Sequence, residues 1–172
     1  AALAQSRAKP RGKLRVDMPV SLGQHYVVPA LARFAAQYPE LTVQAMLNDQ
    51  ITDLVEEGVD AVIRIGQLTD STLVAKKLYE SRAIVVASPE FIARFGEPKT
   101  PADLKDFNCL GLIQGSSGRL RPWTLQKGNE AYVYEPNGNF STNNVDAPVE
   151  AAIGGSGVLY LLDHILNRSL SA

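Results

Sequence analysis

The sequence has little of what most catalytic and metal sites are built from. One cysteine, Cys109, and two histidines, His25 and His164, stand among 172 residues. A single cysteine excludes an internal disulfide and a cysteine-based zinc cluster. Two histidines leave little for a metal site or a Ser–His–Asp triad. Basic excess is absent too: 17 Lys and Arg face 18 Asp and Glu, for a formal charge of −1. A nucleic-acid-binding domain would carry a cationic surplus. No apolar run reaches the roughly 18 residues of a membrane span. The opening stretch Ala1–Gly12 is alanine-rich with three cations but has no apolar core, so it does not read as a secretory signal. Together these absences weigh against a hydrolase, a metalloenzyme and a disulfide scaffold.

What is present is the material of a globular fold. Hydrophobic residues make up 45% and charged residues 20%, enough to bury a core in one domain or two small lobes. Leu14, Val16 and Met18 alternate with Arg15 and Asp17, a strand pattern that Pro19 ends. Val27, Leu31, Phe34 and Tyr38 then share one helical face, with Pro29 tolerable only in a first turn and Pro39 as the stop. Leu41, Val43, Ala45 and Leu47 alternate as a second strand. Asp49–Glu57 has helical spacing and Gly58 as its stop, and Val59–Ile65 is a buried apolar strand ended by Gly66. Strand–helix–strand–helix–strand implies a parallel sheet in an α/β fold.

Further along, Thr72–Tyr79 and Ser81–Ala87 read as strands. Ser88-Pro89 and Thr100-Pro101 each read as an N-cap followed by a first-turn proline. Cys109–Ile113 is a short apolar strand, and Trp123 with Tyr132–Tyr134 suggests a hairpin around Lys127–Glu130. Gly138–Thr142 is extended, Asn143–Asp146 opens a helix, and Gly157–Leu162 is a last strand. The pattern divides into a cationic leading segment over residues 1–11, a first lobe over 12–82 and a second lobe over 83–172.

The order of several short motifs resembles the effector-binding domain of LysR-type transcriptional regulators. They are Gly12-Lys13-Leu14-Arg15-Val16 with Pro19, Val28-Pro29-Ala30-Leu31, Tyr38-Pro39-Glu40-Leu41, Asp53 through Gly66, Asp70 through Ala75, Val86-Ala87-Ser88-Pro89, Thr100-Pro101-Ala102-Asp103-Leu104 and Gly154-Gly155-Ser156-Gly157-Val158. Each is weak alone; the ordered set covers the chain from Gly12 onward. The resemblance implies a type 2 periplasmic-binding-protein-like fold, two α/β lobes with a ligand cleft between them. It implies an effector-sensing and oligomerisation domain of a bacterial regulator, cytoplasmic and not an enzyme, with no cofactor and no membrane. The family's amino-terminal winged helix-turn-helix is absent from these residues, residues 1–11 resemble the end of its linker helix, and the carboxyl end stops before the family's final strand and helix. DNA would be contacted only through that amino-terminal domain. A solute-binding protein serving a transporter is the rival reading of the same fold.

Residues at strand ends and at the helix starts that follow some of them are the candidate ligand contacts, because ligands of open α/β sheets sit beyond the strands' carboxyl ends. Helix starts there carry partial positive charge and free N–H groups, which suits a small anion. In the first lobe the candidates are Ser21, Asn48, Ile65 and Gly66; in the second they are Gln114, Gly115, Asn143 and Asn144. Ser21 could equally be a cap or turn serine, Gly66 a turn glycine, and one of Asn143 and Asn144 a helix cap, in competition with Asp146. Arg64 reads as a structural ion pair in preference to a cleft rim. Cys109 and Trp123 read as core, His25 as surface and His164 as incidental. Ala32 and Ala35, among the small residues flanking the first helix's apolar stripe, are the candidate contacts of a homodimer, with a higher oligomer in the full-length protein. Helix propensity alone would also account for these alanines.

Overall fold

A computed structural model describes residues 9–49, 58–66, 74–115 and 117–170. The chain divides into two compact units, Ala1–Ala75 and Lys76–Ala172.

In the first unit the alternation around Val16 does become a strand, β1 (Gly12–Met18). The chain continues into a helical run: α1 (Val20–Leu22), a π-helical turn Gly23–Val27 and α2 (Val28–Gln37). The π turn answers the problem set by Pro29. Proline has no N–H to give the preceding turn, and the wide turn lies just before it, closed by the Val28 N–H bonding the Gly23 carbonyl. Strand β2 (Leu41–Leu47) pairs with β1 in parallel over seven residues, Gly12↔Leu41 to Met18↔Leu47. Strand β3 (Ala61–Val62) pairs with the other edge of β1, Val16↔Ala61 and Asp17↔Val62. The order β2-β1-β3 makes β1 the central strand. Val16, Asp17 and Met18 are therefore all buried, although the sequence alternates.

The expected third strand, Val59–Ile65, pairs only at Ala61–Val62. The helix expected over Asp49–Glu57 lies outside the described residues from position 50, as do residues 1–8 of the leading segment and Thr72 and Leu73 of the next expected strand. The rest of that strand is a correction: Val74–Tyr79 runs without a ladder partner among the described residues, and a lone extended segment is not a strand.

The second unit starts its ladder at β4 (Ala83–Val86), followed by α3 (Pro89–Phe95) and a 3-10 helix, Pro101–Asp106. Both expected caps form. The Ser88 hydroxyl accepts from the Phe91 N–H at 3.2 Å. Thr100 and Asp103 form a reciprocal capping box, with the Asp103 carboxylate accepting from the Thr100 N–H at 2.7 Å. Then come β5 (Gly111–Gln114), β6 (Arg119–Leu120), the hairpin β7 (Trp123–Lys127) and β8 (Glu130–Tyr134), β9 (Ser141–Thr142), α4 (Ala147–Ile153), β10 (Leu159–Leu162) and α5 (Asp163–Leu170). Helix α5 was not expected from the sequence; among its described side chains the buried apolar ones are the adjacent pair Ile165 and Leu166.

Strand β10 runs antiparallel to β4, from Leu159↔Val86 to Leu162↔Ala83. Just before it, Val158 bridges Cys109 in parallel. Strand β5 pairs in parallel with β9 and antiparallel with β6. Two apolar clusters result. One gathers Leu110, Leu112, Val149, Ala152, Leu159, Leu161, Ile165 and Leu166. The other gathers Phe91, Leu104, Cys109, Trp123 and Val158. Trp123 stacks on Tyr160 with ring centroids 5.5 Å apart, and meets Tyr134 at 5.6 Å. Cys109 and Trp123 are core residues, as expected.

Candidate functional site

Three parallel strands share one polarity, so Met18, Leu47 and Val62 end on one edge of the first unit's sheet. Ser21 follows β1 and is 97% covered, at 3% exposure. Asn48 and Asp49 follow β2, and Ile65 and Gly66 lie beyond β3. The first-lobe candidates thus come to one sheet edge, as their spacing implied. Gly66 has φ +129°, which a side chain rarely adopts, so the chain turns there with bare backbone.

The chemistry at this edge differs in one respect from the sequence reading. Asp17, unremarked as a polar residue of an alternating strand, is fully buried and organises it. Arg64 Nη1 lies 2.6 Å from Asp17 Oδ1 and also donates to the Ile63 carbonyl at 3.1 Å. Asn48 Nδ2 donates to Asp17 Oδ2 at 2.6 Å. One buried carboxylate is thereby paired with a guanidinium at one oxygen and hydrogen-bonded by an amide at the other, contacts that offset the cost of burying its charge. Arg64 is the ion-pair partner expected, and Asn48 commits a donor to Asp17. Asp49 Oδ1 accepts from the Val20 N–H at 3.0 Å, a carboxylate seated at the start of the helical run.

The second-lobe candidates also share an edge. Strands β5 and β9 are parallel, Gly111↔Ser141 and Leu112↔Thr142, so Gln114 at the end of β5 with Gly115 after it, and Asn143-Asn144 after β9, lie at carboxyl ends of the same polarity. Asn144 takes the capping role: its Oδ1 accepts from the Asp146 N–H at 2.9 Å and the Ala147 N–H at 3.1 Å. Asp146 stands at the cap position without a side-chain cap bond. Asn143 and Gln114 are exposed.

Two side chains that the sequence left without a role are engaged. His164 is 7% exposed, and its Nδ1 lies 2.8 Å from Ser81 Oγ. Ser81 Oγ donates to Asp163 Oδ1 at 2.5 Å. The carboxylate and the imidazole both meet the hydroxyl, so this is not the relay of a triad, in which the carboxylate holds the imidazole. His164 is correspondingly a buried polar anchor and not incidental. Burial holds its pKa below the ordinary imidazole value, outweighing the nearby Asp163 carboxylate. The Ser81 hydrogen bond lowers the Asp163 pKa. A histidine whose folded pKa is depressed contributes stability above its unfolded pKa of about 6.5 and loses it as pH falls. The urea midpoint is therefore expected to decline from pH 7 toward pH 5, before carboxylates titrate, and His164→Asn should flatten that decline. An unchanged slope in the variant would reject the assignment.

Burial raises the Cys109 thiol above its ordinary value, so it is a poor nucleophile at neutral pH. Among the described residues no group of three or more His, Cys, Asp or Glu could hold a metal ion. None of their helices is long and apolar enough to cross a membrane.

A family model described as the LysR substrate binding domain matches residues 7–172. An HTH-type transcriptional repressor of Pseudomonas aeruginosa is 32% identical over 158 residues, 92% of this chain and 50% of that protein. The HTH-type transcriptional regulator DmlR of Escherichia coli is 35% identical over 156 residues, 91% of this chain and 50% of its own. Among solved structures, CrgA, a LysR-type transcriptional regulator from Neisseria meningitidis, superposes with a TM-score of 0.80 at 28% identity, over 94% of this chain and 54% of that one. The regulatory domain of AphB from Vibrio vulnificus gives 0.80 at 28% identity, over 93% and 79%. The chain spans about half the length of the curated relatives it matches, which are transcriptional regulators.

Proposed function

We propose, starting from the fact that this chain belongs to the LysR substrate-binding domain family, that it is the effector-sensing and oligomerisation region of a cytoplasmic transcriptional regulator. The effector is a small anion contacted by Ser21, Asn48, Ile65 and Gly66 in the first unit and by Gln114, Gly115, Asn143 and Asn144 in the second. The observation that carries this reading is the gathering of each set at the carboxyl edge of a parallel pair of strands. The groups offered there are a hydroxyl, amides and bare glycine backbone. The Asp49 carboxylate on the Val20 N–H marks the polarity of that helix start. Binding shifts the population between conformations of the regulator, and DNA is contacted through an amino-terminal domain of the parent protein.

The test is a panel of small carboxylates against neutral analogues by thermal shift and calorimetry. An acid that binds should lose about 1.5–3 kcal/mol in the Ser21→Ala variant, the worth of one hydrogen bond to a charged group. Full affinity in that variant would remove Ser21 from the site. In a gel-shift assay the 172 residues alone, with a charge of −1, should show no salt-sensitive, sequence-specific binding.

Association is the second half of the reading. Helix α2 has no fully buried residue in the chain itself, and Ala32 and Ala35 lie on it. Small side chains let a partner element approach closely, and a two-fold dimer through this helix follows. Sedimentation at micromolar concentration should show a dimer that Ala32→Glu or Ala35→Glu dissociates. A dimer indifferent to both charges would place the interface elsewhere.

A further inference from the structure

A groove in the second unit shares no residue with the two sheet edges. Its lining is Arg82, Ala83 and Val85 from the β4 side, Thr124, Leu125 and Gln126 from β7, and Tyr160 from β10, and it encloses about 450 Å³. The pairing explains its floor. Val85 stands opposite Tyr160 in the antiparallel ladder, and Ala83 lies two residues before Val85, on the same face. Ile84 and Val86 turn the other way, into the core. Val85 is left 40% exposed on a strand whose neighbours are covered.

The wall is fixed at both ends. The Tyr160 ring stacks on buried Trp123, and its hydroxyl donates to the Thr124 carbonyl at 2.5 Å. Gln126 Nε2 is tied to the Gly128 carbonyl at 3.1 Å. Arg82 is the one charged lining residue and no carboxylate lines the groove. The Arg82 backbone is anchored by the Asp163 N–H at 2.8 Å, while its side chain has no ion pair among the described residues. A flat apolar floor, a pinned aromatic wall and one uncompensated cation are complementary to an amphipathic anion. The volume lies within the range of small-molecule sites.

We infer that this groove is a second ligand site, taking a small organic acid with a ring-sized apolar body. The carboxylate meets Arg82, and the body lies over Val85, Leu125 and Tyr160.

The experiment is an amide-shift titration of the ¹⁵N-labelled 172-residue chain with phenylacetate, and separately with uncharged phenylacetamide. Phenylacetate should shift the amides of Ala83, Val85, Leu125 and Gln126 saturably, with phenylacetamide about tenfold weaker, as losing one charge-assisted hydrogen bond implies. Arg82→Gln should weaken phenylacetate by a similar factor and Arg82→Lys by less, and Val85→Trp should fill the floor and abolish binding. Ser21→Ala should leave these shifts unchanged, which separates this site from the effector site proposed above. Shifts confined to residues outside the groove would overturn the inference. So would equal affinity for acid and amide, or indifference to Arg82→Gln, an exposed position where the fold is not at stake.

Discussion

Replacing Asp17 by alanine is expected to destabilise the first unit by about 3 kcal/mol, the lower end of the range for breaking a buried ion pair. The lower end applies because Arg64 keeps 21% of its side chain exposed and water can reach part of the freed charge. The loss comes from stranding two groups. Arg64 would lose the carboxylate 2.6 Å away, and Asn48 Nδ2 its acceptor at 2.6 Å. Hydrogen exchange in β1, β2 and β3 reads the change, since the only tryptophan lies in the second unit. The double variant Asp17→Leu, Arg64→Met should recover the share lost through the stranded Arg64 charge, because an apolar pair has no charge to desolvate, while Asn48 Nδ2 still lacks its acceptor. A cost below about 1 kcal/mol for Asp17→Ala would mean that the pair behaves as a solvated surface bridge.

Gly157→Ala is expected to cost about 3 kcal/mol, at the upper end of overpacking penalties. A Cβ at this position would stand 2.3 Å from the Asn108 carbonyl oxygen and 3.1 Å from two carbons of Leu110. The first contact is with backbone, which cannot rotate away. It lies inside the pairing that joins β10 to the rest of the unit, where Val158 N–H bonds the Asn108 carbonyl at 2.8 Å and Leu110 N–H bonds the Val158 carbonyl at 2.8 Å. Urea unfolding followed by Trp123 fluorescence measures it. A shift of the midpoint worth less than about 0.5 kcal/mol, the scale of a neutral surface substitution, would show that the two segments part without strain.

What the sequence disclosed and what it withheld have separate physical causes. Caps and short-range patterns were legible: Ser88 and Thr100 act on residues three positions away, and the Trp123–Tyr134 hairpin closes on itself. The strand-end placement of the site candidates was legible because the end of a strand is a local signal. Partners were not. Asp17 reads as a polar member of an alternating strand, and its partners Asn48 and Arg64 come to it from beyond β2 and β3, at a distance in sequence. His164 reads as isolated because its serine is 83 residues away in sequence, brought beside it only at the end of the β4–β10 ladder where Ala83 meets Leu162. Val74–Tyr79 has the composition of a strand, but a ladder needs a neighbour, and composition does not supply one. The π turn before Pro29 is a local answer to a local conflict, yet propensity gives no preference for it over a kink.

The β4–β10 pairing also sets the order in which a growing chain can fold. The first unit's described sheet and its buried ion pair use no residue beyond Arg64, so they can form while the ribosome is still adding the second unit. Strand β4 must wait for Leu159–Leu162. During that interval Ile84, Val86, Leu110 and Leu112 have no Leu159, Leu161, Ile165 or Leu166 to cover them. Late pairing of sequence-distant strands is slow and exposes apolar surface. Nascent chains arrested before Leu159 should therefore be the species that chaperones hold and that aggregate when released, and synthesis past Leu166 should end that vulnerability in one step.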